Sequence, residues 1–265
     1  MCFNPLDEKG IPLEKQPRSW QDLNVEPYKA KSVHPYTRTR VILMNGAEVE
    51  AALFLHQFAR HEQNHEIKQA LAMARRMEQQ QQKAVNWLIP SGESALEETL
   101  GYEQVAVDLT AWLARTEPDE NIKNTLNFTL LEDFNHLYRY ANLYSMEKGK
   151  DATNIIGEYT KIMPGRPTIA EHRHPFDGLT KAYYNKEADI LTKLHVMTIV
   201  PAEQQTMNFY MNVGNRAESL LGRQIYLEIA MIEEQHVTHY ESLADPTVSW
   251  LDRWLMHDYT EAYLY

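Results

Sequence analysis

Residues 228–243 read EIAMIEEQHVTHYESL and combine an apolar helical pattern with an acid and an imidazole. The residues on the apolar face of this predicted helix are Tyr226, Ile229, Glu233, His236 and Tyr240. Residues three positions apart share a helix face, and an unpaired charge on a buried face is costly. Glu233 and His236 are therefore predicted to form half of a metal site, whereas Glu234 lies off this face and is expected to be solvated. The alternative is a polar interruption in a surface helix.

The composition favours an all-α protein and excludes several classes. Only 10 of the 265 residues are glycine, and Glu, Gln, Met, Leu and Ala are plentiful. The net charge of −11 repels phosphate backbones, so no nucleic-acid partner is expected. No apolar run approaches the ~18 residues of a membrane span, and no secretory signal is visible, so a cytoplasmic location is predicted. A single cysteine excludes an internal disulfide and a cysteine-based metal site.

The pattern along the chain predicts an extended, proline-rich arm over residues 1–46 and one helical domain over 47–265. Helices are expected at about 47–87, 93–115, 120–147, 179–213 with an interruption at Pro201, 216–243, and from about 250 to the end. A long irregular crossover over residues 149–178 separates the third helix from the fourth. The last helix meets no stop signal, so a longer natural chain is expected.

The predicted third helix contains LLEDFNHLYRY, residues 130–140. Asp133 and His136 are three residues apart, and Glu132 and His136 are one turn apart. The main apolar arc faces away from Glu132 and His136, so an exposed pair is an open alternative. However, Glu103 and Glu132 lie on either side of the turn at Glu117. The number of residues from Glu103 to Glu117 is almost the same as that from Glu117 to Glu132. At ~1.5 Å per residue, antiparallel helices joined there place Glu103 and Glu132 at the same height.

The fourth helical segment offers two alternatives for a further carboxylate. Glu187 lies among apolar residues at helical spacing. Glu203 precedes Glu233 by nearly the same separation in sequence as that between Glu103 and Glu132. Both Glu187 and Glu203 remain candidates.

The first predicted helix carries another acid–imidazole pair, Glu62 and His65. The turn at Pro90 lies between Glu62 and Glu103. The number of residues from Glu62 to Pro90 is more than twice that from Pro90 to Glu103. In a simple hairpin their heights differ by roughly 22 Å. This pair is therefore expected to be a polar core pair or an exposed pair, with a separate second site as a further alternative.

These residues resemble the ferritin-like di-iron carboxylate superfamily, whose pattern is Glu, then Glu-x-x-His, a long crossover, then Glu and Glu-x-x-His. The resemblance covers about residues 93–243. It implies an antiparallel four-helix bundle, with extra amino- and carboxyl-terminal helices on this chain. The matching positions are Glu103, Glu132, His136, Glu187 or Glu203, Glu233 and His236. The Glu132–His136 spacing departs from the pattern by one residue, unless Asp133 replaces the glutamate.

The resemblance implies two iron or manganese ions and an oxidoreductase that reacts with dioxygen or peroxide. Glu132 and Glu233 would bridge the ions, and His136 and His236 would supply nitrogen ligands. Glu103 and the further carboxylate would be terminal or bridging ligands. Nearby tyrosines that are candidate hydrogen-bond donors are Tyr102, Tyr140 and Tyr240. The alternatives are metal storage without turnover, or a metal-free structural or interaction protein on the same scaffold.

Other partners are less well defined by the sequence. The pattern does not identify an electron donor. Trp250 and Trp254, near the carboxyl end, are candidates either for a homodimer interface or for internal packing.

Overall fold

The computed structural model describes residues 4–157 and 181–265, and these residues form helices and loops without a β-strand. The all-α prediction is confirmed. The α-helices in this part of the chain are α1 (Pro35–His61), α2 (His65–Trp87), α3 (Ala95–Thr116), α4 (Glu120–Lys148), α5 (Thr153–Ile156), α6 (Ile190–Val213), α7 (Leu220–Glu241) and α8 (Trp250–Leu264). Short 3-10 turns cover Pro5–Asp7, Leu13–Lys15 and Gly214–Arg216.

Four of these helices, α3, α4, α6 and α7, form the centre of the molecule and are called the central helices below. A short connection joins α3 to α4, another joins α6 to α7, and each pair packs side by side. The α3 helix also packs on α6, and α4 packs on α7. The fully buried tyrosines among them are Tyr102, Tyr140, Tyr210, Tyr226 and Tyr240.

The helices α1, α2 and α8 form an outer layer against the central helices. The α1 helix packs against α2 and α8 on one side and against α3 and α6 on the other. Phe54 and Phe58 of α1 pack against Trp250 and Trp254 of α8. At Gly46 an added Cβ would lie 3.0 Å from the carbonyl oxygen of Pro201, so a side chain at this position would separate α1 from α6.

Side-chain caps fix the starts of the central helices. The Ser94 hydroxyl accepts from the amide of Glu97, and the Glu97 carboxylate accepts from the amide of Ser94, which completes a capping box. Asp119 accepts from two amides in the first turn of α4. Gly149, with φ of 63°, ends α4 in the left-handed conformation.

Two boundaries at the amino-terminal side differ from the prediction. The α1 helix begins at Pro35 rather than at Ala47, because proline is favoured in the first turn and His34 caps it. The predicted helix over 47–87 is two helices. The Glu62 carboxylate accepts from the two following amides, and Asn64 caps α2, so the polar residues at 62–64 end one helix and start the next.

The region before α6 also differs from the prediction. Residues 181–189 form turns, and the helix begins at Ile190 because Asp189 caps it. Pro201 lies inside α6 and does not interrupt it. Most of the predicted crossover over 149–178 lies outside the described residues, and its described part contains α5.

Among residues 4–157 and 181–265, every helix is too short or too polar to cross a membrane.

Candidate metal centre

Acids and imidazoles from all four central helices converge at one buried place. Two groups of ligand atoms, each within 4.8 Å of one another, can be distinguished. The first group is Asp133, Glu203, Glu233 and His236, and the second is Glu103, His136 and Glu233. Glu233 belongs to both groups, so the two groups are adjacent and share one carboxylate. This arrangement can hold two neighbouring cations.

The same pattern occurs in both helix pairs. The separation in sequence between Glu103 of α3 and Asp133 of α4 equals that between Glu203 of α6 and Glu233 of α7. In each pair the histidine, His136 or His236, lies three positions after the second acid. Equal spacing within two antiparallel pairs brings all four acids to the same height.

Asp133 therefore takes the position that the sequence prediction gave to Glu132. The α4 helix is buried on more than one side, and Glu132, Asp133 and His136 are all buried. The predicted apolar arc placed Glu132 and His136 on the outside, and Leu131 of that arc is exposed instead. Both sides of α4 are covered because α3 and α7 pack against it.

Glu132 contacts the opposite side of the His236 ring. Its Oε2 lies 2.9 Å from Nε2 of His236, so a proton on Nε2 is donated to this carboxyl oxygen. The other ring nitrogen, Nδ1, then faces Glu233 at 3.1 Å and Asp133 at 3.6 Å. A carboxylate that fixes the tautomer of a histidine in this way is common behind metal ligands.

Two further contacts position the second group. Nδ1 of His136 lies 2.8 Å from Oε1 of Glu233, so α4 and α7 are linked at the shared carboxylate. The Tyr210 hydroxyl donates to Oε1 of Glu103 at 2.5 Å. The sequence prediction named Tyr102, Tyr140 and Tyr240 as candidate hydrogen-bond donors, but not Tyr210. Tyr210 could have been found from its spacing, because it follows Glu203 by two helical turns and so lies on the same face of the helix.

The centre contains acceptors that the described chain does not satisfy. Neither carboxylate oxygen of Asp133, and neither of Glu203, has a hydrogen bond of normal geometry within residues 4–157 and 181–265. The exposed fractions of these side chains are 0% and 1%. Buried polar atoms without partners are costly, so these oxygens fit a bound cation.

Burial and mutual repulsion dominate the protonation of the centre. Burial raises the pKa of Asp133 to about 8, with His236 opposing and the charge on Glu233 reinforcing the shift. Burial and the nearby acids also raise the pKa of Glu103 and of Glu203 well above the usual value. These acids therefore favour the protonated form when no cation is near them.

The shared acid and its histidine neighbour shift in the opposite sense. Burial alone would raise the pKa of Glu233, but the imidazoles of His136 and His236 outweigh it and lower the pKa. Burial alone would lower the pKa of His236, but hydrogen bonds to the surrounding carboxylates, Glu132 first, raise it well above its usual value. The two imidazoles thus favour the ionised form of the shared carboxylate of Glu233.

Three predicted residues lie elsewhere. Glu187 is exposed in the turn that precedes α6, so of the two alternatives for the further carboxylate only Glu203 joins the centre. Glu62 follows the last residue of α1 and is partly exposed, and His65 is exposed at the start of α2. Both residues therefore lie at the surface, as in the exposed alternative for them.

A surface cavity between α6 and α7 reaches towards the centre. Tyr210, whose hydroxyl contacts Glu103, is one of its lining residues, and Met211, Leu227 and Met231 form much of its apolar wall. The centre is therefore close to a partly apolar opening.

Comparisons of the chain with protein-family profiles, curated proteins and solved structures find no match.

Proposed function

We propose that the central helices form a ferritin-like bundle around a di-metal carboxylate centre, and that the protein is an oxidoreductase reacting with dioxygen or peroxide. The observation that carries this proposal is the sharing of Glu233 between two ligand groups built from equally spaced residues. A single-ion site would need only one of these groups. Without a cation, the buried oxygens of Asp133 and Glu203 would lack hydrogen-bond partners, which is unusual for buried polar atoms.

The charges of the residues fit two divalent cations. The buried acids at the centre are Glu103, Glu132, Asp133, Glu203 and Glu233. Two imidazoles alone cannot balance five ionised carboxylates, whereas two divalent ions bring four positive charges. Cation binding would therefore permit the raised-pKa acids to ionise and would release their protons.

The donor set indicates which cations fit. Carboxylate oxygens dominate, and each helix pair adds one imidazole nitrogen from His136 or His236. Oxygen-rich sites with a histidine suit iron or manganese better than they suit softer ions. Asp133, Glu203 and His236 would hold one ion, Glu103 and His136 the other, and Glu233 would bridge them.

Reduced iron bound in such a centre supplies electrons to dioxygen or peroxide. The residues of the chain prepare the site around it. Glu132 holds the proton on Nε2 of His236, and Tyr210 places a hydroxyl proton against Glu103. The surrounding core excludes bulk water, and the cavity that Tyr210 lines is a route for a small oxidant.

The first test is the metal content and the oxygen chemistry of the purified full chain. We expect about two iron or manganese ions at this centre after purification without chelator, and consumption of dioxygen when the apoprotein is loaded with ferrous iron. Glu233→Ala, which removes the shared ligand, should hold about two fewer ions than the wild type and should not consume dioxygen. Glu234→Ala is the matched control, since Glu234 is the exposed neighbour on the same helix.

The outcomes separate the competing functions. Stoichiometric binding of ferrous iron without dioxygen or peroxide consumption would overturn the oxidoreductase and leave metal storage. Absence of bound metal, together with an unchanged melting temperature in added ferrous iron, would overturn the metal centre itself.

A further inference from the structure

A second buried cluster of acids lies in the outer layer, on helices that take no part in the first centre. Glu48 of α1, Glu78 of α2 and Glu261 of α8 place carboxylate oxygens within 4.8 Å of one another. All three residues are buried, and Glu48 is 0% exposed. The three acids come from three different helices and converge at one place.

A histidine adjoins this cluster in an orientation suited to a ligand. Nε2 of His257 lies 2.6 Å from Oε2 of Glu50, and Nδ1 is directed to Glu261, 3.8 Å from its Oε1. Glu50 therefore fixes the ring and leaves Nδ1 on the side of the cluster. Glu261 also forms a group of close ligand atoms with His257 and Asp258, so it links the histidine to the other acids.

Unsatisfied oxygens point to a missing ligand. When these acids are ionised, Oε2 of Glu48, Oε2 of Glu78 and Oε1 of Glu261 are buried without a hydrogen bond in the described chain. Glu48 and Glu78 hydrogen-bond to each other only while one of the two carboxyl groups keeps its proton. Each of the three residues is at least nine-tenths buried. The Tyr265 hydroxyl donates to the other oxygen of Glu48 and leaves Oε2 available.

The charges in the layer support a cation rather than an anion. Three buried carboxyl groups lie within 4.8 Å of one another, and Nδ1 of His257 lies 3.8 Å from Oε1 of Glu261. Arg75 and Arg76 line the surface cavity on which Glu48 borders, but no Arg or Lys in the described chain forms an ion pair with the cluster acids.

We propose that Glu48, Glu78, Glu261 and His257 form a second metal site that binds one divalent transition-metal ion. Three carboxylates and one imidazole match manganese, iron or zinc, and the imidazole disfavours calcium and magnesium. The cavity bordered by Glu48, Gln79 and Gln82 provides the route from solvent. This site is independent of the first centre because the two share no ligand.

The test removes the first centre and counts what remains. The full-length Glu233→Ala chain, stripped of metal with a chelator, is titrated with Mn²⁺, and bound ions are counted from the loss of the free-Mn²⁺ electron paramagnetic resonance signal. We expect about one Mn²⁺ per chain. Adding Glu78→Gln to this background should abolish that binding, whereas adding Glu66→Gln, an exposed acid on the same helix, should not.

A second measurement guards against misfolding of the Glu78→Gln chain. In the Glu233→Ala chain with ¹⁵N-labelled histidine, bound Mn²⁺ should show magnetic coupling to an imidazole nitrogen, and His257→Gln should remove the coupling. No Mn²⁺ bound by the Glu233→Ala chain, equal binding after Glu78→Gln, or bound Mn²⁺ without nitrogen coupling would each overturn the site. If wild type and Glu233→Ala both bind one ion, the second site stands and the two-ion proposal for the first centre fails.

Discussion

At the scale of single residues, the neighbours Glu132 and Asp133 have different roles although both are buried acids on α4. Asp133 has a carboxylate within the ligand group that contains Glu203 and Glu233, whereas Glu132 contacts Nε2 of His236 from behind. Removal of a ligand costs a bound ion. Loss of a carboxylate that orients a ligand typically weakens metal affinity ten- to a hundredfold.

We therefore predict that Asp133→Asn changes the number of bound ions, whereas Glu132→Gln changes their affinity. Asp133→Asn should lose about one of the two ions, because the group formed by Glu103, His136 and Glu233 survives. Glu132→Gln should retain both ions with an affinity about 10- to 100-fold weaker. Calorimetric titration of the metal-free proteins with Mn²⁺ measures both quantities. The opposite order would identify Glu132 as the ligand.

At the scale of the helices, Glu117 ties the α3–α4 turn to the start of α6. Its carboxylate contacts Nδ1 of His195 at 2.7 Å and accepts from the Thr192 hydroxyl and the Asp119 amide. Burial alone would raise the pKa of Glu117, but these hydrogen bonds, that of His195 first, outweigh it and lower the pKa. The turn is thus held by an ionised acid.

This arrangement predicts a pH-dependent contribution to stability. Since the pKa of Glu117 is lower in the folded chain, its contribution is complete above the unfolded value of 4.5 and is lost as pH falls through the folded value. Glu117→Gln should lower the free energy of unfolding at pH 7 by roughly 1.5–3 kcal/mol, as expected for hydrogen bonds to a charged group. Urea unfolding of wild type and variant should show this difference shrinking below about pH 4.5.

Glu234→Gln, a change at an exposed acid, controls for the loss of one charge. A difference between wild type and Glu117→Gln that stays constant from neutral to acidic pH would contradict the role of the ionised carboxylate.

The helices themselves were largely predictable from local signals, and their exceptions have local causes. Ser94 and Asp119 are strong caps, so the starts of α3 and α4 followed from the sequence. The break at residues 62–64 was missed because the apolar period continues on both sides of it. Glu187 was expected on a helix because apolar residues at helical spacing surround it. Residues 181–189 form turns instead, and α6 begins only at Ile190.

The sequence predicted which helices contribute to the candidate centre better than it predicted which of their residues do. Periodicity identified Glu233 and His236, because their face of α7 is apolar. Asp133 was underestimated because one apolar arc was taken as the buried side of α4, although α3 and α7 cover two sides. The outer cluster was missed because Glu48, Glu78 and Glu261 are far apart in sequence and meet only after α1, α2 and α8 pack.

At the scale of the whole molecule, the crossing of α1 over α6 joins the outer layer to the central helices. Gly46 permits the close approach, since an added Cβ would lie 3.0 Å from both the Pro201 carbonyl oxygen and Cβ of Gln205. The carbonyl belongs to the backbone and cannot rotate away. Glu203 lies two residues beyond Pro201, so this contact is also next to the candidate centre.

We predict that Gly46→Val destabilises the fold by about 1–3 kcal/mol, the usual cost of overpacking. Thermal unfolding followed by circular dichroism measures the change. Gly10→Val is the matched control because nothing lies within 4 Å of a Cβ at Gly10. Equal melting temperatures for the two variants would show that the two layers are not in the close contact described.

The unequal distribution of aromatic residues gives the two layers different optical signals. Trp250 and Trp254 pack on Phe54 and Phe58 in the outer layer, while the central helices bury tyrosines and carry one tryptophan, the exposed Trp112. Tryptophan emission therefore reports mainly on the outer layer. The near-ultraviolet dichroism of tyrosine reports mainly on the central helices, which hold the fully buried tyrosines. A single denaturation experiment followed by both signals can show whether the layers unfold together or in sequence.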